Sequence, residues 1–185
     1  NSWHGLEAVA NPFNVEFGLM VMFLTICLGA LYMINNIDDE KLAMQLRKSL
    51  LICFAGFLLM LVLVLIQLVT MEGFAVDAEG NVFMEKGKYF HNLIQMPVVL
   101  IMFLLGAVLL VTGVVMTLLK KEFNRGIWIA APGTVLAVMA LFMIAAYNGT
   151  AYYPSTADLQ CSLTLSNSCS SEFTLRTMAI VSLII

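Results

Sequence analysis

The chain has 185 residues, 61% of them hydrophobic and only 11% charged, with nine Lys or Arg against twelve Asp or Glu and a formal charge of -3. Soluble domains carry roughly 25% charge, so this composition, with a mean hydropathy of +0.94, excludes a water-soluble domain. The charge balance has no basic excess, and no nucleic-acid partner is expected.

The opening stretch, Trp3 to Asn14, mixes Trp3, Leu6, Val9 and Phe13 with His4, Glu7 and Asn11, a spacing that suits a short helix lying in a membrane interface. Asn11-Pro12-Phe13 then turns the chain into its first long apolar run. A hydrocarbon core about 30 Å thick needs about 20 apolar residues as helix, and residues 15–35, 49–71, 93–119 and 126–147 each meet that length. A fifth run, residues 173–185, would reach only about 20 Å at 1.5 Å per residue and reads as a truncated span. With a first residue that is neither Met nor part of a signal peptide, the sequence reads as a piece of a longer chain. The expected fold is all-α: a polytopic transmembrane helical bundle in one domain, residues 1–185, with four full spans and a truncated fifth.

The connections carry the orientation. Residues 36–48 hold Lys41, Arg47 and Lys48, and residues 120–125 hold Lys120, Lys121 and Arg125, together six of the nine basic residues. Residues 72–92 have Lys86 and Lys88 among four carboxylates, and residues 148–172 have no Lys or Arg. The positive-inside rule places loops 36–48 and 120–125 in the cytoplasm and loops 72–92 and 148–172 outside. Tyr147, Tyr152 and Tyr153 at the outer end of the fourth run, and Phe123 and Trp128 at its inner end, fit interfacial belts.

Glu16 is the only carboxylate within a predicted span, but its first-turn position suits a carboxylate without any function. Residues 73–84 read as two short extended runs around Glu79-Gly80-Asn81, a hairpin over the outer surface. His91 stands where the chain re-enters the membrane; a metal or haem ligand needs a second strong donor, and the only other His, His4, has none beside it. Pro97 suits the first turn of the third helix. Gly106 and Gly113 lie seven apart on one face and suit close helix packing. Pro132-Gly133 should bend or loosen the fourth helix. Cys161 and Cys169 in the outer loop either form a disulfide in an oxidising compartment or stand as small free residues. Asp38-Asp39-Glu40 reads as a solvated loop more readily than as a proton collector. The Met and Phe residues are scattered without a stripe and read as packing bulk. There is no CxxC, HExxH, P-loop, GxGxxG or Ser/His/Asp grouping.

From Tyr153 the string Pro154-Ser155-Thr156, then Ser162-Leu163-Thr164, Ser170-Ser171, Leu175 and Met178, resembles the last outer loop and final helix of subunit II of the cytochrome bd ubiquinol oxidases. Asn11-Pro12-Phe13 is similar to the start of that subunit's fifth membrane helix. The resemblance covers the whole chain but only the C-terminal half of the family's subunit, and Cys161 and Cys169 depart from the family pattern. It implies a nine-helix, non-haem subunit paired with subunit I, which would carry haem b, haem d and the quinol site of a respiratory chain oxidase in the bacterial inner membrane. It implies no catalytic, cofactor-binding or metal-binding residue in this chain. Membrane lipid or quinone is a candidate ligand, and a small accessory subunit a candidate further partner. The alternative reading is a secondary transporter or non-enzymatic membrane scaffold, against which the near absence of ionisable residues within the spans weighs.

Overall fold

The computed structural model describes residues 10–77, 79–151, 154–155, 158–164 and 181. The opening stretch up to residue 9 and, apart from residue 181, the fifth apolar run lie outside them.

Four helices long and apolar enough to cross a membrane dominate the described residues: α1 (Pro12–Asn36), α2 (Glu40–Thr70), α4 (Pro97–Leu119) and α5 (Ile127–Ala146). The all-α transmembrane bundle is therefore the architecture of the chain. Asn11 caps α1, its side chain accepting from the Phe13 N–H at 3.0 Å, and Pro12 occupies the first turn where a missing donor costs nothing. Asp39 caps α2 by accepting from the N–H groups of Lys41 at 2.8 Å and Leu42 at 3.2 Å. The second helix thus begins nine residues before its apolar run at 49. Hydropathy registers only the part immersed in lipid, whereas the Asp39 cap and the Glu40 charge at the positive end of the helix start it earlier.

Between α2 and α4 lie a hairpin and a short helix. Strands β1 (Glu72–Val76) and β2 (Val82–Lys86) pair antiparallel, with Gly73 opposite Glu85 and Ala75 opposite Phe83. The connection after α5 joins the free edge of β1: the Val76 N–H donates to Gly149 O at 2.8 Å and the Ala151 N–H to Phe74 O at 2.9 Å. The third apolar run, expected as one helix from 93, is divided. Helix α3 (Lys88–Gln95) ends before Met96, whose φ of -112° and ψ of 76° are non-helical, and Pro97 opens α4. The proline ring drives the preceding residue out of the helical region and so sets the break.

Helices α4 and α5 touch backbone to backbone. A Cβ added at Gly106 would stand 2.6 Å from both Gly133 O and Ala137 N, and one at Gly113 would stand 2.6 Å from Gly126 O. The same holds in reverse, since a Cβ at Gly133 would meet Gly106 O at 2.7 Å. Gly133 is a packing residue of this seam, and Pro132 before it lies inside the continuous helix, where it withdraws a backbone donor. In the other pair, the Phe23 ring of α1 lies over Gly56 of α2. The two pairs meet through Leu31, Ile34, Leu50 and Phe54 on one side and Leu110, Val114 and Ala130 on the other. Most of the remaining apolar surface faces outward: no more than 28% of the most apolar window of any span is buried within the chain.

Polar ties bind the ends. Arg47 donates to Lys121 O and to Asn124 Oδ1, each at 2.8 Å, and to Lys120 O at 3.3 Å, joining α2 to the α4–α5 turn. These carbonyls follow the C-terminus of α4, where cations are favoured. At the opposite end the fully buried Asn92 donates to Ile144 O and to Thr150 Oγ1, each at 2.8 Å, so α3 is fixed to the end of α5.

Replacing Gly106 with Leu should cost at least about 1–3 kcal/mol through overpacking, with a similar loss for Gly113→Leu. Thermal unfolding of the membrane-extracted protein checks this; unchanged midpoints for both variants would contradict the seam.

Candidate functional site

Because the α1–α2 and α4–α5 pairs are held together where Leu31 reaches the Gly126 turn, they leave a cleft on the half of the bundle nearer the hairpin. Its volume is about 330 Å³, and it is lined by Phe13, Phe17 and Met20 of α1, Phe57, Leu61 and Val64 of α2, Phe103, Ala107 and Leu110 of α4, and Thr134, Ala137 and Leu141 of α5. That falls within the size of small-molecule sites, about 300–1,000 Å³. The polar residues of the lining are Thr134, whose hydroxyl donates to Ala130 O at 2.9 Å, and Tyr89. Burial raises the pKa of Tyr89. The cleft suits a hydrocarbon chain.

Glu16 and Gln67 form a polar clasp beside it, the amide of Gln67 donating to Glu16 Oε2. The carboxylate of α1 is thus half-buried and held against the last turns of α2.

At the hairpin end, Glu85 binds His91 Nδ1 at 2.8 Å and lies 3.6 Å from Lys88 Nζ. The His91 hydrogen bond and the Lys88 charge hold the Glu85 carboxyl below its usual range. The Nδ1 of His91 is taken by this contact, and among the described residues no three His, Cys, Asp or Glu side chains gather to hold a metal. Asp77 closes the hairpin by accepting from the Asn81 N–H at 2.7 Å and the Glu79 N–H at 2.9 Å, and the Asn81 hydrogen bonds hold its carboxyl low as well. The run Pro154, Ser155, Ser162, Leu163 and Thr164 folds on itself: Ser162 Oγ accepts from the Ser155 N–H at 2.9 Å, across a 3-10 turn at Leu159–Cys161. Cys161 is exposed, with Sγ 3.6 Å from Asp158 Oδ2, and the Asp158 charge raises its pKa. Cys169 and Thr156 lie outside the described residues.

The structure brings Gly106 and Gly113 to one seam and leaves His91 and Cys161 on the surface, apart from the cleft. Four features escaped the sequence reading. The partners Gly126 and Gly133 were legible as small residues at helical spacing with Ala130 and Ala137, and α3 was legible as an amphipathic octamer ended by Met96-Pro97. The roles of Arg47 and Asn92 depend on distant carbonyls and left no local signal.

Both hairpin carboxyls are depressed, so their contribution to the folded hairpin is present above the ordinary carboxylate pKa of about 4 and is lost as pH falls through the lowered values. A spin label at the exposed Met84 should grow more mobile below about pH 4, and Asp77→Asn should loosen it already at neutral pH. Identical spectra from pH 6 to pH 3 would contradict this.

No curated protein sequence matches the chain. The family described as cytochrome bd terminal oxidase subunit II matches residues 2–185, a stretch that takes in the seam, the cleft, the hairpin and the folded outer loop. The chain belongs to the cytochrome bd terminal oxidase subunit II family.

Proposed function

We propose that this chain forms part of the non-haem subunit of a quinol:oxygen oxidoreductase and supports a subunit I that carries haem b, haem d and the quinol site. The observation that carries this reading is the family match over residues 2–185. The one described histidine is tied through Nδ1 to Glu85 at the surface. In such a complex two membrane quinols together lose four electrons and release their four protons outside, while one oxygen takes those four electrons and four inner protons to give two waters.

The physical role of the chain is then to bury a face of subunit I in protein. The outward apolar surface supports it, since Ile52, Val98 and Phe142 are each about 70% exposed and need a lipid or protein neighbour. The positive-inside rule puts the Arg47 and Lys120–Arg125 end in the cytoplasm and the hairpin end outside. The inner (cytoplasmic) membrane of a bacterium is the compartment this implies. The cleft takes the hydrocarbon chain of a lipid or quinone, because its walls are almost wholly apolar.

A reduced-minus-oxidised visible spectrum of the parent complex, purified through this chain from its native membrane, tests the reading. Haem b and haem d bands that co-purify with a partner subunit, and that vanish when this chain's gene is deleted, are expected. A colourless preparation from intact complex would contradict it.

A further inference from the structure

Five cations stand at one level of the bundle. Arg47 and Lys48 precede the apolar part of α2, and Lys120, Lys121 and Arg125 follow α4. The α4 helix of 23 residues spans about 34 Å at 1.5 Å per residue, slightly more than a hydrocarbon core, so the residues that follow it stand at headgroup depth. Arg47 binds the Lys120 and Lys121 carbonyls and the Asn124 side chain directly, which brings Lys48 to that level and turns two loops into one patch.

The carboxylates are placed elsewhere. Asp38, Asp39 and Glu40 sit at the far end of the two polar turns of α2, with Glu40 about 10 Å along the axis from Arg47 at 1.5 Å per residue, and Asp39 is engaged as the helix cap. Glu122 alone shares the level of the five cations. Among the described residues none of the five lies within ion-pair distance of a carboxylate; the ion pairs found are those of Glu85 at the other end. Lys48, Lys120, Lys121 and Arg125 are exposed. Beside them two large apolar side chains, Leu119 and Trp128, are 78% and 72% exposed. A group of cations without carboxylate partners, with apolar surface directly beside it, has the form of a phospholipid seat, with charge for the phosphate and a path for the acyl chains.

We propose that this patch binds the headgroup of an anionic membrane phospholipid, with Lys48, Lys120, Lys121 and Arg125 meeting the phosphate and Leu119 and Trp128 bordering the chains. Arg47 is a positioning residue, since its guanidinium is occupied by Lys121 O and Asn124 Oδ1.

The test uses the intact parent complex in detergent, stripped of lipid and offered spin-labelled phosphatidylglycerol or phosphatidylcholine. The immobilised fraction should favour phosphatidylglycerol by at least about threefold, and the preference should shrink in about 1 M salt, where screening acts within roughly 3 Å. Combined K48Q, K120Q, K121Q and R125Q should bring the ratio close to one, whereas K86Q at the hairpin end should leave it. Size exclusion establishes assembly, and should the combined variant not assemble, K121Q and R125Q singly should each lower the ratio. Equal retention of the two lipids by the unaltered complex, or an unchanged ratio in assembled variants, overturns the proposal. Displacement of phosphatidylglycerol by millimolar inorganic phosphate also overturns it, because the patch would then take a free anion.

Discussion

Between helices in lipid there is little hydrophobic driving force, because the hydrocarbon chains are as apolar as the side chains they would replace. Close contact has to come from shape. In this chain it comes from the seam where Gly106 and Gly113 of α4 meet Gly126, Ala130, Gly133 and Ala137 of α5, with backbone atoms where side chains would ordinarily stand. That contact makes α4 and α5 one unit. The positions of the cleft, the basic turn and the strand added to the hairpin follow from it, because α5 carries Gly126 at one end and the β1-pairing segment around Thr150 at the other.

The polar ties between helices lie toward the ends, and several of them are made to backbone groups that the helices cannot satisfy themselves. Arg47 serves the carbonyls after α4, and Asn92 serves those at the end of α5. Within the spans, the side-chain bonds of Thr25, Thr117 and Thr134 return to their own helices. The arrangement suits a subunit whose wide apolar faces are meant for lipid and for neighbouring helices.

The fold was legible in the sequence because immersion in lipid leaves a strong signal: each span is a run of apolar residues of one length. The basic loops, the hairpin around Gly80 and the glycine pair on α4 were legible for equally local reasons. The start of α2 was not, since its first turns are polar and only the Asp39 cap marks them. The division at Met96 is ambiguous in the sequence because Pro97 is equally at home inside a first turn or at a new start. The cleft had no sequence signature at all. It is lined by ordinary Phe, Leu and Val residues from four helices, and it exists because two helix pairs join near Leu31 and Gly126 and part toward the hairpin.

That asymmetry, closed at the basic end and open to hydrocarbon at the hairpin end, is the central claim. Photo-cross-linking of the parent complex with a phospholipid bearing a diazirine in its acyl chain, read by peptide mass spectrometry, tests it most directly. Met20 and Val64, which are buried yet line the cleft, should be labelled alongside the fully outward Val98, while Leu31 and Val114 stay unlabelled. Labelling of Val98 alone, or equal labelling of Leu31 and Met20, would contradict the account.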